Sequence, residues 1–125
     1  MPTPDELRGL IANYVAAVNS RDAQAIAATF AEDARQADPA SNPPNIGRQA
    51  ITTFFENGIG ACESWTFTAT KVHTCADRAA INFEISLVTG GTTMAISGIE
   101  VFTVGDDGLF TAVNAYWDDA DLTFS

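Results

Sequence analysis

The sequence predicts an α+β domain, with three N-terminal helices packed on a mostly antiparallel β-sheet. Apolar residues recur at helical spacing up to about residue 57, and from Ser64 onward they recur every second residue. The two textures follow one another and do not alternate, which separates this pattern from a parallel α/β fold. Neither an internal repeat nor a linker interrupts the 125 residues, so residues 1–125 read as one domain.

Thr3-Pro4-Asp5-Glu6 opens the first helix. Thr3 is the cap, Pro4 suits the first helical position, and Glu6 stands where a capping box places its acid. Leu7, Leu10, Ile11, Tyr14, Val15 and Val18 then form one stripe that ends near Asn19-Ser20. Asp22 caps a second, shorter helix reaching about Phe30, with Ile26 and Ala27 inward. Residues 34–47 begin as a short extended piece and become a loop holding Pro39, Pro43 and Pro44. A third helix runs from about Arg48 to Asn57, with Ile51, Phe54 and Phe55 apolar and Asn57-Gly58 as its stop.

In the second half, Trp65, Phe67 and Ala69 alternate with threonines, and Ile81, Phe83, Ile85 and Leu87 alternate with Asn82, Glu84 and Ser86. Gly90-Gly91 makes a tight hairpin into the strand around 93–104. Gly105-Asp106-Asp107-Gly108 makes another into Leu109–Trp117. Both faces of these last two strands are apolar, whereas one layer of helices covers only one face of a sheet. A second copy of the chain is the simplest cover for the other, so a homodimer through the outer sheet face is expected.

Six basic residues against sixteen acidic ones give a net charge of −10. Such a surface repels phosphate backbones and anionic lipid, and no Lys/Arg cluster reverses it locally, which excludes nucleic acid and membrane partners. Cys62 and Cys75 lack metal-ligand spacing and read as free thiols. The N-terminus carries no signal pattern and no apolar run reaches membrane-spanning length, so a soluble cytoplasmic protein is expected.

Glu100 stands out. Counted in twos, it shares a strand face with Met94, Ile96, Gly98, Phe102 and Val104. An isolated carboxylate is so costly in an apolar site that the group takes a proton instead, and a neutral carboxylic acid can donate a hydrogen bond. The plainer alternative is a Glu near a sheet edge with its head in water. Tyr14 reads either as a core Tyr or as a phenol donor aimed into a cavity between the first helix and the sheet. Asp38, before Pro39, either merely starts a turn or supplies a carboxylate at the mouth of the fold. His73 has no partner in register, Cys75 has only Arg78 nearby, and Glu32-Asp33 and Asp118-Asp119 read as solvated charge. No phosphate loop, metal-spaced set or nucleophile elbow is present.

The stretch NYVAAVNSRDAQAIAATFAEDARQADP (residues 13–39) closely resembles the opening of bacterial steroid Δ5-isomerases, the ketosteroid isomerases of the NTF2-like, SnoaL-like superfamily. AINFEIS, GIEVF and VNAYWDDADL fit the family's later strands, so the likeness covers nearly the whole chain. It implies a cone-shaped fold with a curved sheet. It also implies that Tyr14 matches the family's oxyanion-hole tyrosine and Asp38 its general base. Glu100 falls where relatives have a protonated Asp that donates to the same oxygen, a device known for this family and carried over by the resemblance.

The implied activity is isomerisation of a β,γ-unsaturated 3-oxo-steroid to the conjugated enone, without cofactor or metal. A flat apolar substrate needs an apolar slot, for which Phe30, Phe54, Phe55, Phe83, Phe102 and Trp117 are candidates. Two departures from the family pattern are Glu for Asp at 100 and Phe55 where many relatives have a Tyr that hydrogen-bonds the catalytic Tyr. The fold also hosts cyclases, dehydratases, epoxide hydrolases and non-catalytic small-molecule binders, so these stay open as alternatives.

Overall fold

The computed structural model describes residues 2–125. Helix α1 (Pro4–Ser20) begins with the capping box its sequence encodes. The Thr3 hydroxyl accepts from Glu6 N–H, and a Glu6 carboxylate oxygen accepts from Thr3 N–H, both at 3.1 Å. Its buried stripe is Leu7, Ile11, Tyr14 and Val18. At the far end the Asn19 amide bonds both backbone groups of Phe67, accepting from its N–H at 2.8 Å and donating to its carbonyl at 2.9 Å.

Helix α2 (Ala23–Ala27) is capped by Asp22, as its sequence indicates, but it spans five residues and stops well before Phe30. The Thr29 hydroxyl donates to Ile26 O at 2.6 Å and closes the turn. Phe30 then opens strand β1 (Phe30–Ala37), because pairing with Phe110 gives its backbone a better partner than another helical turn. The extended segment therefore begins four residues earlier than the residue-34 start read from sequence.

After a two-residue strand β2 (Asn45–Ile46), helix α3 (Arg48–Gly58) buries Ile51 and Phe55, and a single 3₁₀ turn (Ile59–Ala61) follows. The strands β3 (Ser64–Cys75), β4 (Arg78–Thr89), β5 (Thr92–Val104) and β6 (Phe110–Tyr116) form the meander, and a short β7 (Leu122–Phe124) ends the chain. Gly90 and Gly91 both adopt positive φ, 57° and 78°, which the tight β4–β5 hairpin requires.

The sheet runs β2-β1-β6-β5-β4-β3 and is mixed, since β1 lies parallel to β6 while the other pairs are antiparallel. β7 takes up the side of β5 that β6 leaves, pairing at Met94–Ile96. Register shifts fall in β1, in β3 between Ala69 and Lys71, and in β5 between Thr103 and Val104. Such irregularities bend strands, and the sheet curves around the helices.

Gly98 stands where β5 changes partner from β6 to β7. A Cβ there would lie 2.5 Å from Tyr116 O and 3.0 Å from the Phe83 ring, so only glycine lets both approach. Arg21 holds the turn after α3 in place, its guanidinium donating to the carbonyls of Ile59 and Cys62.

On the outer face Ile99, Tyr116 and Phe124 are 46%, 55% and 65% exposed. Cys62 and Cys75 are both free, and among the described residues no helix is long and apolar enough to cross a membrane.

Candidate active site

An apolar cavity of about 450 Å³ opens between α1, α3 and the concave side of the sheet. Tyr14, Asp38 and Glu100 all line it, each brought there by a different element.

Tyr14 arrives on the inward stripe of α1. Its ring is held edge-on by Phe30, Phe67, Phe102 and Phe110, with centroids 5.2–6.2 Å away. Such edge-to-face contacts fix a ring's direction as well as burying it. Burial pushes the phenol pKa well up, and the carboxyls of Glu100 and Asp38 add to the shift. Tyr14 therefore keeps its proton and is available as a donor.

Glu100 sits mid-strand in β5 between Ile81 of β4 and Ala115 of β6, on the inward face that its spacing indicated. It is only 4% exposed, and its Oε1 is buried without a hydrogen-bond partner. A carboxylate oxygen left so would forfeit its hydration with nothing in exchange, so burial favours the protonated form of the acid. Burial raises the Glu100 pKa well above the carboxylate range, and the neighbouring Asp38 raises it further.

Asp38 follows the last residue of β1. Ala37 pairs with Asn114, and the Ala40 N–H bonds Ala115 O at 2.6 Å, so β6 fixes the backbone on both sides of Asp38. The Trp117 indole N–H donates to Asp38 Oδ1 at 2.5 Å. Burial raises the Asp38 pKa and the Trp117 bond opposes that rise. The net direction is upward, so Asp38 is a more basic carboxylate than one in open water.

The aromatic candidates divide. Phe54, Phe55, Phe83 and Trp117 line the cavity, whereas Phe30 and Phe102 are fully buried in the core behind Tyr14 and do not. Phe30 is drawn inward because it belongs to β1 and packs on Phe110 at 5.9 Å. Phe102 packs on the same ring at 5.0 Å. Tyr14 has only phenylalanines as ring neighbours, and the other tyrosine, Tyr116, lies on the outer face, so no second phenol supports it.

His73 and Cys75 are exposed near the end of β3, away from the cavity. Asp118 does more than carry solvated charge, since its side chain caps the 3₁₀ turn before β7. Sequence reasoning did not single out Trp65, whose indole lines the cavity with Nε1 buried and unpartnered. Its inward phase on β3 was readable, but the fate of its N–H was not.

A SnoaL-like domain model matches residues 11–113. The chain belongs to the SnoaL-like domain family. A Nocardioides simplex protein named steroid Δ-isomerase is 32% identical to this SnoaL-like domain over 117 residues, 94% of each chain. Two solved structures superpose over the full length of both chains at 22% identity. One, with a TM-score of 0.92, is the epoxide hydrolase/cyclase-like enzyme SalBIII, described in pyran ring formation in the polyether salinomycin. The other, at 0.89, is a Mycobacterium tuberculosis protein. At that identity the two structures speak for the fold: an α+β unit with a curved mixed sheet.

Proposed function

We propose that this SnoaL-like domain is a steroid Δ5-isomerase, converting β,γ-unsaturated 3-oxo-steroids to their conjugated isomers. The observation that carries the reading is the meeting of one basic carboxylate and two proton-bearing donors in a single apolar cavity. The named relative agrees with it.

Asp38 takes the proton from the carbon between the ketone and the double bond. Electrons shift through that carbon onto the ketone oxygen, giving a dienolate, and Tyr14 and neutral Glu100 each donate a hydrogen bond to it. Asp38 then returns the proton two carbons further along, so one carboxylate serves both steps and the atoms balance without a co-reactant. Donors already aimed in a site with little water need little reorganisation as negative charge develops. Trp117 keeps Asp38 pointed at the substrate and tempers its basicity. Phe54, Phe55 and Phe83 form the slot for the flat ring system.

The same reading includes a homodimer through the outer sheet face, where Ile99, Tyr116 and Phe124 would be covered by a second copy. It suits a soluble cytoplasmic enzyme.

The test is to mix purified protein with a β,γ-unsaturated 3-oxo-steroid and follow the ultraviolet band of the conjugated product. Conversion by the wild type and its loss in Asp38→Asn are expected. Wild type and Asp38→Asn that are equally inert, while still binding the steroid, would replace this reading with that of a non-catalytic binder.

A further inference from the structure

Two polar side chains lie deep in the interior, Glu100 at 4% exposed and Gln36 at 1%. Glu100 belongs to the site already described, whereas Gln36 does not line the cavity. It stands two residues before Asp38 and pairs with Val113 of β6, which pairs in turn with Phe102 of β5. Both of those neighbours are fully buried and apolar, and the Gln36 Nε2 is buried among them without a partner. A methionine of similar length would fill the place without leaving a donor unpaired, so packing does not account for an amide here.

What the amide does make is one bond. The Asn45 Nδ2 donates to Gln36 Oε1 at 2.8 Å. Gln36 and Asn45 also form the cross-strand pair at which β1 and β2 part, so this bond closes the base of the loop 37–44. Asp38, Pro39 and Asn42 of that loop line the cavity. The outgoing arm is fixed by β6, through the Ala37–Asn114 pairing and the bond from Ala40 N–H to Ala115 O. The returning arm runs through Pro43 and Pro44, which have no N–H to give, into a strand of only two residues. With so few backbone bonds available there, the side-chain bond carries the attachment.

We infer that Gln36 and Asn45 are positioning residues for Asp38: the bond between their amides fastens the returning arm of the loop to β1 and so keeps the Asp38 carboxyl seated on the Trp117 indole at the cavity wall. What that placement serves rests on the reading of Asp38 as the base. Neither amide touches the substrate, and the stability given up at Gln36 is exchanged for a fixed carboxyl.

The Trp117 indole reports the placement without turnover, because its N–H donates to Asp38 Oδ1 at 2.5 Å. In ¹⁵N spectra of the ligand-free protein, with the two indole signals assigned by Trp117→Phe, the Trp117 proton should move upfield in Asn45→Ala and in Gln36→Met, and the Trp65 proton should stay. Gln36→Met should keep the denaturant midpoint of the wild type or exceed it, since the unpaired donor leaves with the amide. On a β,γ-unsaturated 3-oxo-steroid each variant should lose about tenfold in kcat with KM nearly unchanged, as a misdirected base would. The double variant should lose no more than either single one, because one bond is removed in all three. A Trp117 signal that stays in place in both variants, or losses that add in the double variant, would overturn the inference. A shifted signal in a protein whose wild type is inert on the steroid would instead fail the isomerase reading and leave the positioning of Asp38 supported.

Discussion

Ile99 and Glu100 are consecutive on β5 and reverse the usual placement of their types. The aliphatic residue is 46% exposed on the outer face, while the acid is 4% exposed on the inner one. Burying an aliphatic side chain stabilises a fold by about 1.5–3 kcal/mol, and burying an unpaired acid costs it stability. A strand selected for stability alone would have the opposite order. The inner face gives up stability for a proton-bearing group beside Asp38, and the outer face leaves apolar area uncovered. On the proposed function, the contrast teaches that the two faces answer to different demands, chemistry inside and association outside.

The largest effect expected from disturbing the inner face comes from Asp38→Asn, which removes the base. Steady-state rates on a β,γ-unsaturated 3-oxo-steroid should fall by about 10²–10⁴. Next is Glu100. Glu100→Ala removes a donor and should lower kcat by about a hundredfold, whereas Glu100→Gln keeps a neutral donor at that length and should lose roughly tenfold or less. Equal losses in the two variants would show that the proton at position 100 is not used.

The same acid gives the comparison a thermodynamic edge. Burial raises the folded-state pKa of Glu100 above its unfolded value, so the folded protein keeps a proton that the unfolded chain releases. Its contribution is most favourable below the unfolded pKa, near 4.3, and stability is lost as pH rises from there towards the folded pKa. The loss is about 1.4 kcal/mol per pH unit across that window. Glu100→Gln lacks this penalty, so its thermal midpoint should gain on the wild type between pH 5 and 7 and approach it near pH 4.

Gly98→Ala should destabilise the fold by about 1–3 kcal/mol, seen in denaturant midpoints, because Tyr116 O and the Phe83 ring already occupy the space. The smallest catalytic effect belongs to Ile99→Arg. It should lower the mass seen by light scattering from dimer to monomer while the pocket residues keep their positions. Its kcat should stay within a few-fold of wild type.

Much of this site is legible in the sequence. The Thr3–Glu6 capping box and the Leu7–Val18 stripe set the rotation of α1 and so turn Tyr14 inward, and a period of two turns Glu100 inward. These are local regularities, carried by residues close together in the chain. Asp38 is readable as a residue but not as a geometry. Its position depends on β1 lying parallel to β6, a pairing between residues 30–37 and 110–116 that no short-range pattern announces. The Trp117–Asp38 bond follows from that pairing, so by sequence Trp117 reads only as apolar lining. Phe30 is misplaced by its sequence for the same reason, since a helical reading of 22–30 overlooks the strand that takes it into the core.

Asn19 carries a consequence for how the protein meets other copies of itself. β3 ends the sheet, and a terminal strand with free backbone groups invites another chain to add on and continue the ladder. The Asn19 amide already occupies both backbone groups of Phe67, as a neighbouring strand would. Growth of a fibre by strand addition is blocked at that point, which leaves this rim closed to a second copy of the chain.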